Sequence, residues 1–147
     1  MNKLLIICGP TATGKSALAV KLAKKYDGEI VSADSRQVYR NLSIGTGKDL
    51  PKTAKFKFNN NMVGGSYEFG GINLWGLDLV DPNQEFNVTQ YVRFAKAVIN
   101  NLWYRNKLPI LTGGTGFYIK AVINGIATAG IPNNKKLRHS LSGKLPE

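Results

Sequence analysis

The spacing of apolar and polar residues along the chain predicts alternating strands and helices. Short apolar runs predict strands at residues 3–8, 29–33, 77–80 and 108–112. Helical spacing of apolar residues predicts helices at residues 15–25, 87–103, 117–124 and, from a weaker pattern, 135–141. Gln90 follows Asn87 by three positions, which is typical of a capping box. The alternation predicts an α/β fold, a parallel sheet with helices on both faces.

The region between residues 48 and 76 lacks this regularity. Glycine, proline, lysine and asparagine dominate its first part, so we predict an irregular loop or insertion there. Aromatic residues interrupted by Gly70-Gly71 predict a hairpin towards its end. We therefore expect a core at residues 1–125 that contains this insertion, followed by a basic segment at residues 126–147.

Three polar segments follow predicted strands and form the candidate site. They are the glycine-rich loop at residues 9–16, Asp34, and Gly113-Gly114-Thr115. Ligands of parallel sheets bind beyond the carboxyl ends of the strands. We therefore expect these three segments to meet at one edge of the sheet.

The loop Gly-Pro-Thr-Ala-Thr-Gly-Lys-Ser at residues 9–16 has the P-loop spacing, between a predicted strand and a predicted helix. Gly9 and Gly14 permit backbone angles that turn amide groups inward to surround anionic oxygens. Lys15 supplies a mobile positive charge, and the Ser16 hydroxyl is a ligand for Mg²⁺. The loop therefore predicts phosphate binding, and by itself indicates only a nucleotide or diphosphate ligand.

The amino-acid composition indicates a polyanionic binding partner. Twenty Lys and Arg against nine Asp and Glu give a formal net charge of +11. Lysine and arginine contacts with phosphates release counterions, so this surplus favours nucleic acid, although a merely solvated basic surface is the alternative. The single cysteine, Cys8, excludes an internal disulfide and is expected to be a buried thiol in a reducing cytoplasm. The sequence predicts neither a signal peptide nor a membrane-spanning run.

Three segments together resemble the tRNA dimethylallyltransferases, also called tRNA isopentenyltransferases or IPP transferases. They are residues 9–16, Asp-Ser-Arg-Gln-Val-Tyr-Arg at 34–40 with Ile44-Gly45-Thr46, and Gly-Gly-Thr-Gly-Phe-Tyr-Ile-Lys-Ala at 113–121. The resemblance implies a P-loop NTPase-like sheet flanked by helices, here the N-terminal portion and incomplete at its C-terminus. It implies transfer of a dimethylallyl group from dimethylallyl diphosphate to N6 of an adenosine next to the tRNA anticodon, in the cytoplasm and by a full-length monomer.

The resemblance also assigns roles to individual residues. The donor diphosphate would be held by Gly9, Pro10, Thr11, Ala12, Thr13, Gly14, Lys15 and Ser16, with Mg²⁺ on Ser16. Asp34 would take a proton from the adenine amino group, and Lys15 and Thr115 would complete the catalytic set. The tRNA would be contacted by Asp34, Ser35, Arg36, Gln37, Thr115 and Arg138. Family members also carry a helical tRNA-binding insertion beyond the equivalent of residues 126–147.

Several of these residues have simpler alternatives. Asp34 suits a cap of the following turn or a ligand of metal-bound water, and Thr115 suits a cap of the helix after it. We expect Tyr39, Phe117 and Tyr118 in the core. Three other functions share the P-loop: a small kinase, an adenylate isopentenyltransferase that modifies free AMP or ATP, and an inactive RNA-binding fragment.

Overall fold

The computed structural model describes residues 2–42, 44–48, 50–58, 64–127 and 134–142. The strands in this part of the chain are β1 (Leu5–Cys8), β2 (Gly28–Ser32), β3 (Lys55–Phe58), β4 (Gly65–Phe69), β5 (Ile72–Trp75) and β6 (Leu108–Gly113). The helices are α1 (Lys15–Lys25), α2 (Val88–Tyr104), α3 (Gly116–Asn124) and α4 (Lys135–Leu141). The predicted α/β class and all four predicted helices are confirmed.

The strands form one mixed sheet in the order β1-β6-β2-β5-β4-β3. The four strands from β1 to β5 in this order are parallel, whereas β4 and β3 are antiparallel additions. The predicted parallel sheet is confirmed for these four strands, and the hairpin extends it at one edge. The two added strands are a consecutive hairpin, whose short connections permit only antiparallel pairing.

The fourth parallel strand is β5, and the strand predicted at residues 77–80 is wrong. Gly76 has φ +93 and Asp78 has φ +53, so the chain leaves the extended conformation directly after Trp75. A single bridge between Tyr39 and Val80 is the β-pairing described there. The prediction of an irregular loop is likewise wrong for β3, whereas the hairpin predicted around Gly70-Gly71 is confirmed as β4 and β5. The domain boundaries stay predictions.

Each face of the sheet has its own core. On one face, Ala19 and Ala23 of α1 pack against Ile30, Ile72 and Ile110. The other face carries α2 and α3, and its cluster includes Val31, Trp75, Tyr91, Leu111 and Tyr118. The capping box at the start of α2 is confirmed, because Asn87 and Gln90 exchange side-chain to backbone hydrogen bonds of 2.8 and 3.0 Å. The two helical layers hold the strand ends in register for the site.

Two burial expectations are wrong. Cys8 is exposed, because it ends β1, whose described pairing is with β6 alone at the edge of the sheet. Phe117 is also exposed, since the first turn of α3 faces away from the core, whereas Tyr118 is buried and Tyr39 is half-buried. No helix among the described residues has the length and apolar character needed to cross a membrane.

Candidate functional site

The loop between β1 and α1 has the backbone shape expected of a phosphate loop. Gly14 adopts φ +79 as the N-cap of α1, a left-handed conformation that favours glycine. Ala12 is also left-handed, with φ +63, a conformation that no residue pattern indicated. The first turn of α1 has neither an acidic residue nor a side-chain cap. Its amide groups and positive dipole end therefore favour an anion at this position.

Lys15 lies against its own loop. Its Nζ donates to the carbonyl of Pro10, and the Thr13 hydroxyl donates to the same carbonyl at 2.8 Å. The ammonium group thus lies within the loop, where it can act as a point charge for phosphate oxygens.

A cavity of about 660 Å³ lies beyond the carboxyl ends of β1, β2 and β6. Residues 11–17 line one side, and Asp34, Arg36, Gln37, Gly113 and Gly114 line another. Gly9 and Pro10 lead into the loop without lining the cavity. The structure therefore brings the three predicted segments together at one cavity.

An apolar wall completes the cavity, and the sequence analysis did not anticipate it. Its members come from four separate parts of the chain: Val20, Leu50, Pro51, Phe69, Leu74 and Leu77. The cavity thus combines an anion-binding loop with hydrocarbon surface. It suits a ligand that has a charged head and a short apolar tail.

Asp34 follows β2 at the mouth of the cavity and is half-buried. Its Oδ1 accepts a hydrogen bond of 2.9 Å from the backbone amide of Arg36. This is the turn-capping role that we considered as the alternative. A carboxylate with two oxygens can cap the turn and still accept a proton from a bound ligand, so both roles remain compatible with the geometry.

Thr115 links the second and third segments directly. Its hydroxyl accepts from the backbone amide of Ser35 at 3.0 Å and lies 3.4 Å from the Ser35 hydroxyl, while its own amide donates to Ala33 at 3.0 Å. Neither Thr115 nor Ser35 is among the residues that line the cavity. Thr115 makes no side-chain cap to α3. In this structure Thr115 holds the backbone next to Asp34 in place.

Gly113 permits this close approach. A Cβ atom built at Gly113 would lie 2.2 Å from the carbonyl oxygen of Ala33. Such a distance is far below van der Waals contact, so only glycine lets β6 lie this close to the residue before Asp34. The glycines of the third segment thus serve packing of the site as well as the turn.

Gln37 is predicted to contact the nucleotide, but its side-chain amide has protein partners. Its Oε1 accepts from the Ser32 hydroxyl at 3.0 Å, and its Nε2 donates to the carbonyls of Thr46 and Gly47 at 3.1 and 2.9 Å. Gln37 therefore ties β2 to the loop at residues 44–48. Arg36 is exposed at the cavity.

Lys48 and Asp78 form a pair that sequence reasoning missed. The side chain of Lys48 is 2% exposed, and its Nζ lies 2.6 Å from Asp78 Oδ1 and also donates to the carbonyl of Tyr39. The Tyr67 hydroxyl donates to Asp78 Oδ2 at 2.6 Å. Burial, with this hydrogen bond, raises the pKa of Tyr67 to about 12. These partners are distant in sequence, so no local pattern could have indicated them.

The donor atoms at the cavity suit a magnesium ion. Ser16 and Thr112 offer hydroxyl oxygens, and Thr112 Oγ1 is buried with no hydrogen-bond partner among the described residues. Asp34 adds a carboxylate to the same cavity. Mg²⁺ prefers oxygen ligands and keeps several waters, so it needs few protein donors. No cluster of three or more His, Cys, Asp or Glu occurs in the described ranges.

One predicted contact is not located. Arg138 belongs to α4 by its backbone, but its side chain lies outside what the structure describes. Its assignment to tRNA binding stays a prediction.

Two family models and several known proteins match this chain. The family model described as "IPP transferase" matches residues 37–147, and the one described as "Isopentenyl transferase" matches residues 2–60. The tRNA dimethylallyltransferase 1 of Geotalea daltonii is 43% identical over 140 residues, which are 95% of this chain and 40% of that protein. The tRNA dimethylallyltransferase of Treponema pallidum is 42% identical over 139 residues, 95% of this chain and 39% of that protein.

Solved structures agree with these relatives. The tRNA isopentenylpyrophosphate transferase of Bacillus halodurans superposes with a TM-score of 0.71 at 36% identity, covering 97% of this chain and 42% of that one. A eukaryotic dimethylallyltransferase acting on tRNA gives a TM-score of 0.76 at 27% identity, covering 99% of this chain and 33% of that one. The chain thus spans about two fifths of the length of its relatives. By the extent of the family match, the chain belongs to the IPP transferase family.

Proposed function

We propose that this chain supplies the donor site and the base of an enzyme that transfers a dimethylallyl group from dimethylallyl diphosphate to N6 of an adenosine next to the anticodon of tRNA. The main support is that a phosphate loop, a carboxylate and an apolar wall line one cavity. The names of the relatives give dimethylallyl transfer and tRNA, and the sequence resemblance implies the N6 atom next to the anticodon.

The reaction can be assigned to residues of this chain. The adenine N6 nitrogen attacks the first carbon of the dimethylallyl group, the carbon–oxygen bond breaks, and diphosphate leaves with the electron pair. The N6 proton passes to the Asp34 carboxylate. The exocyclic amine is a poor nucleophile, so removal of its proton in the transition state assists attack.

Negative charge develops on the leaving diphosphate, and the loop at residues 9–16 is suited to stabilise this charge. Backbone amides of residues 11–16 and the Lys15 ammonium group would bind its oxygens. A Mg²⁺ ion bound through the Ser16 hydroxyl would supply additional positive charge to the leaving group. The five-carbon tail would lie along the apolar wall, which excludes water from the reacting carbon. We place the reaction in the cytoplasm.

The test is prenyl transfer from radiolabelled dimethylallyl diphosphate with Mg²⁺, offering unmodified tRNA, AMP and ATP as separate acceptors. We expect label on tRNA. Asp34→Asn should lower the rate about 10²–10⁴-fold, the usual contribution of a general base. Asp27→Asn is the matched control, because Asp27 precedes β2 at the opposite end of the sheet.

Three outcomes would contradict the proposal. Label on AMP or ATP alone would indicate an adenylate isopentenyltransferase. Phosphate transfer from ATP without prenyl transfer would indicate a kinase. Donor binding without transfer to any acceptor would leave this chain without the proposed activity.

A further inference from the structure

The hairpin of β3 and β4 presents an aromatic surface beside the cavity. The strand register places Phe56 opposite Tyr67, Phe58 opposite Gly65, and Phe69 opposite Ile72. Residues opposite each other share a face of the sheet, and alternate residues of one strand share it too. Ile72 belongs to the core beneath α1, so all these side chains lie on the face that α1 covers.

Helix α1 does not extend over this hairpin. Its principal packing contacts are with β1, β2, β5 and β6. Within the described residues, Phe56 is 47% exposed and Phe58 is 69% exposed, while Phe69 is half-buried. We call Phe56, Phe58 and Phe69 the aromatic face. Exposed aromatic side chains that form one patch mark a binding surface rather than scattered surface residues.

Packing contacts hold the Phe56 ring of the aromatic face in place. The ring of Phe56 packs edge-on against Tyr67 with centroids 5.2 Å apart. It also lies across Gly65, where a built Cβ would come within 2.3 Å of the ring. Tyr67 is fixed in turn by its hydrogen bond to Asp78. The Phe56 ring is therefore held in place, which lowers the entropic cost of binding a flat partner.

Two lysines lie near the aromatic face. Lys55 and Lys57 alternate with Phe56 and Phe58 along β3 and therefore lie on the opposite face of the sheet, whereas Lys52 precedes the strand. Lys57 pairs with Glu68, whereas Lys24 of α1 is exposed and lies beside Gly70 in the β4–β5 turn. Exposed aromatic rings on a sheet face with a cation nearby, here Lys24, are typical of surfaces that bind unpaired nucleotides.

The aromatic face continues into the proposed active site. Phe69 belongs to both, because it also lines the cavity with Leu74 and Pro51. A nucleotide strand that delivers one base to the cavity would carry its neighbours across this hairpin. We infer that the aromatic face binds the unpaired RNA nucleotides that flank the target adenosine, by stacking on Phe58 and Phe56. This inference rests on the proposed function.

The test measures binding of an anticodon stem-loop RNA that carries 2-aminopurine at a nucleotide flanking the target adenosine. Fluorescence quenching reports stacking of that base, and its titration gives the dissociation constant. Phe58→Leu keeps an apolar side chain but removes the ring, so it should weaken binding about tenfold and relieve the quenching. Phe58→Trp should restore both.

Tyr104→Leu is the matched control. Tyr104 is 87% exposed and ends α2, next to Arg105, which binds Glu29 in β2 at the amino ends of the strands. Its substitution should leave RNA binding unchanged. None of the three variants should change affinity for dimethylallyl diphosphate, which reports that the fold and the cavity are intact.

The outcomes separate this inference from the proposed function. Equal RNA affinity of wild type and Phe58→Leu overturns the inference, and prenyl transfer by wild type would then leave the function standing. A loss of RNA affinity in Tyr104→Leu as large as that in Phe58→Leu overturns the inference as well. Binding that depends on the Phe58 ring without prenyl transfer keeps the surface and rejects the function. Failure of the wild type to bind any RNA rejects both.

Discussion

At the scale of single residues, Glu29 is a charged group inside the sheet. Its carboxylate accepts two hydrogen bonds from Arg105, at 2.8 and 3.1 Å, and one from the Trp75 ring nitrogen at 2.7 Å. Burial alone would raise the pKa of Glu29, but hydrogen bonds from Arg105, Trp75 and Asn73 outweigh it and hold the pKa below its ordinary value. The ionised form is therefore the one that the fold stabilises.

We predict that the ion pair between Glu29 and Arg105 makes the stability of the protein sensitive to acid. A depressed pKa contributes stability that is present above the unfolded-state value of 4.5 and lost as the pH falls through the folded-state value. Arg105→Met should cost about 3 kcal/mol at neutral pH, since it leaves a buried carboxylate unpaired. Denaturant unfolding at a series of pH values measures this. A difference that stays constant from neutral pH to below the folded-state value would show that the pair is not the cause.

Thr112 is the opposite case, a buried hydroxyl with no partner among the described residues. Thr112→Val should therefore keep the free energy of unfolding or raise it by about 1 kcal/mol, because it removes an unsatisfied polar group. The control is Ser32→Ala in the adjacent strand. Ser32 donates a hydrogen bond to Gln37, so this substitution should lower the free energy of unfolding by about 1 kcal/mol. Thermal unfolding of both variants checks this. A loss in Thr112→Val as large as that in Ser32→Ala would reveal a partner for the hydroxyl.

At the scale of elements, the loop at residues 44–48 lines the cavity and is anchored from Thr46 to Lys48. Gln37 binds the carbonyls of Thr46 and Gly47, and Lys48 binds Asp78. The loop has neither helix nor strand to hold it, so these side chains fix its position. Loss of either anchor should disturb the cavity.

We predict that Lys48→Met destabilises the protein by about 3 kcal/mol, because it leaves Asp78 without its buried cation. It should also weaken binding of dimethylallyl diphosphate, since Lys48 lines the cavity. Lys52→Met is the matched control. Lys52 is exposed, so its stability change should stay within about 0.5 kcal/mol. Calorimetric titration with the diphosphate and denaturant unfolding measure the two effects, and equal behaviour of the two variants would refute the anchoring role.

The contact between β6 and the end of β2 gives a second prediction at this scale. Gly113→Ala would force the Ala33 backbone away and should cost about 1–3 kcal/mol. It should also lower prenyl transfer, because Asp34 follows Ala33. Gly116→Ala is the control, since a Cβ there meets no atom within 4 Å and α3 gains a better helix former. Equal stability of Gly113→Ala and Gly116→Ala would contradict the close approach of β6 to Ala33.

At the scale of the whole molecule, the formal net charge of +11 is the dominant property. If about four phosphates are neutralised on binding, affinity for an anticodon stem-loop RNA should fall about a hundredfold between 50 and 200 mM salt. Filter binding at several salt concentrations gives the slope. The Phe58→Leu variant should keep this slope while its affinity falls, because stacking releases no counterions. A weak dependence of wild-type RNA affinity on salt concentration would mean that the lysines do not contact phosphates of the RNA.

The sequence by itself determined what depends on neighbouring residues. The P-loop, the capping box of α2 and the bounds of α1 follow from spacing over a few positions, because glycine angles, caps and helical periodicity are local. The meeting of Asp34 with the two glycine-rich segments also followed, since parallel strands end at one edge.

Tertiary structure decided what depends on distant partners. Ser35 and Thr115 are 80 positions apart, so their hydrogen bond required the pairing of β2 with β6. The same holds for Lys48 with Asp78, for the protein partners of Gln37, and for the placement of β5 within the parallel strands. The alternation of Lys and Phe in β3 was visible in the sequence. Its exposure beside the cavity was decided by where α1 stops covering the sheet.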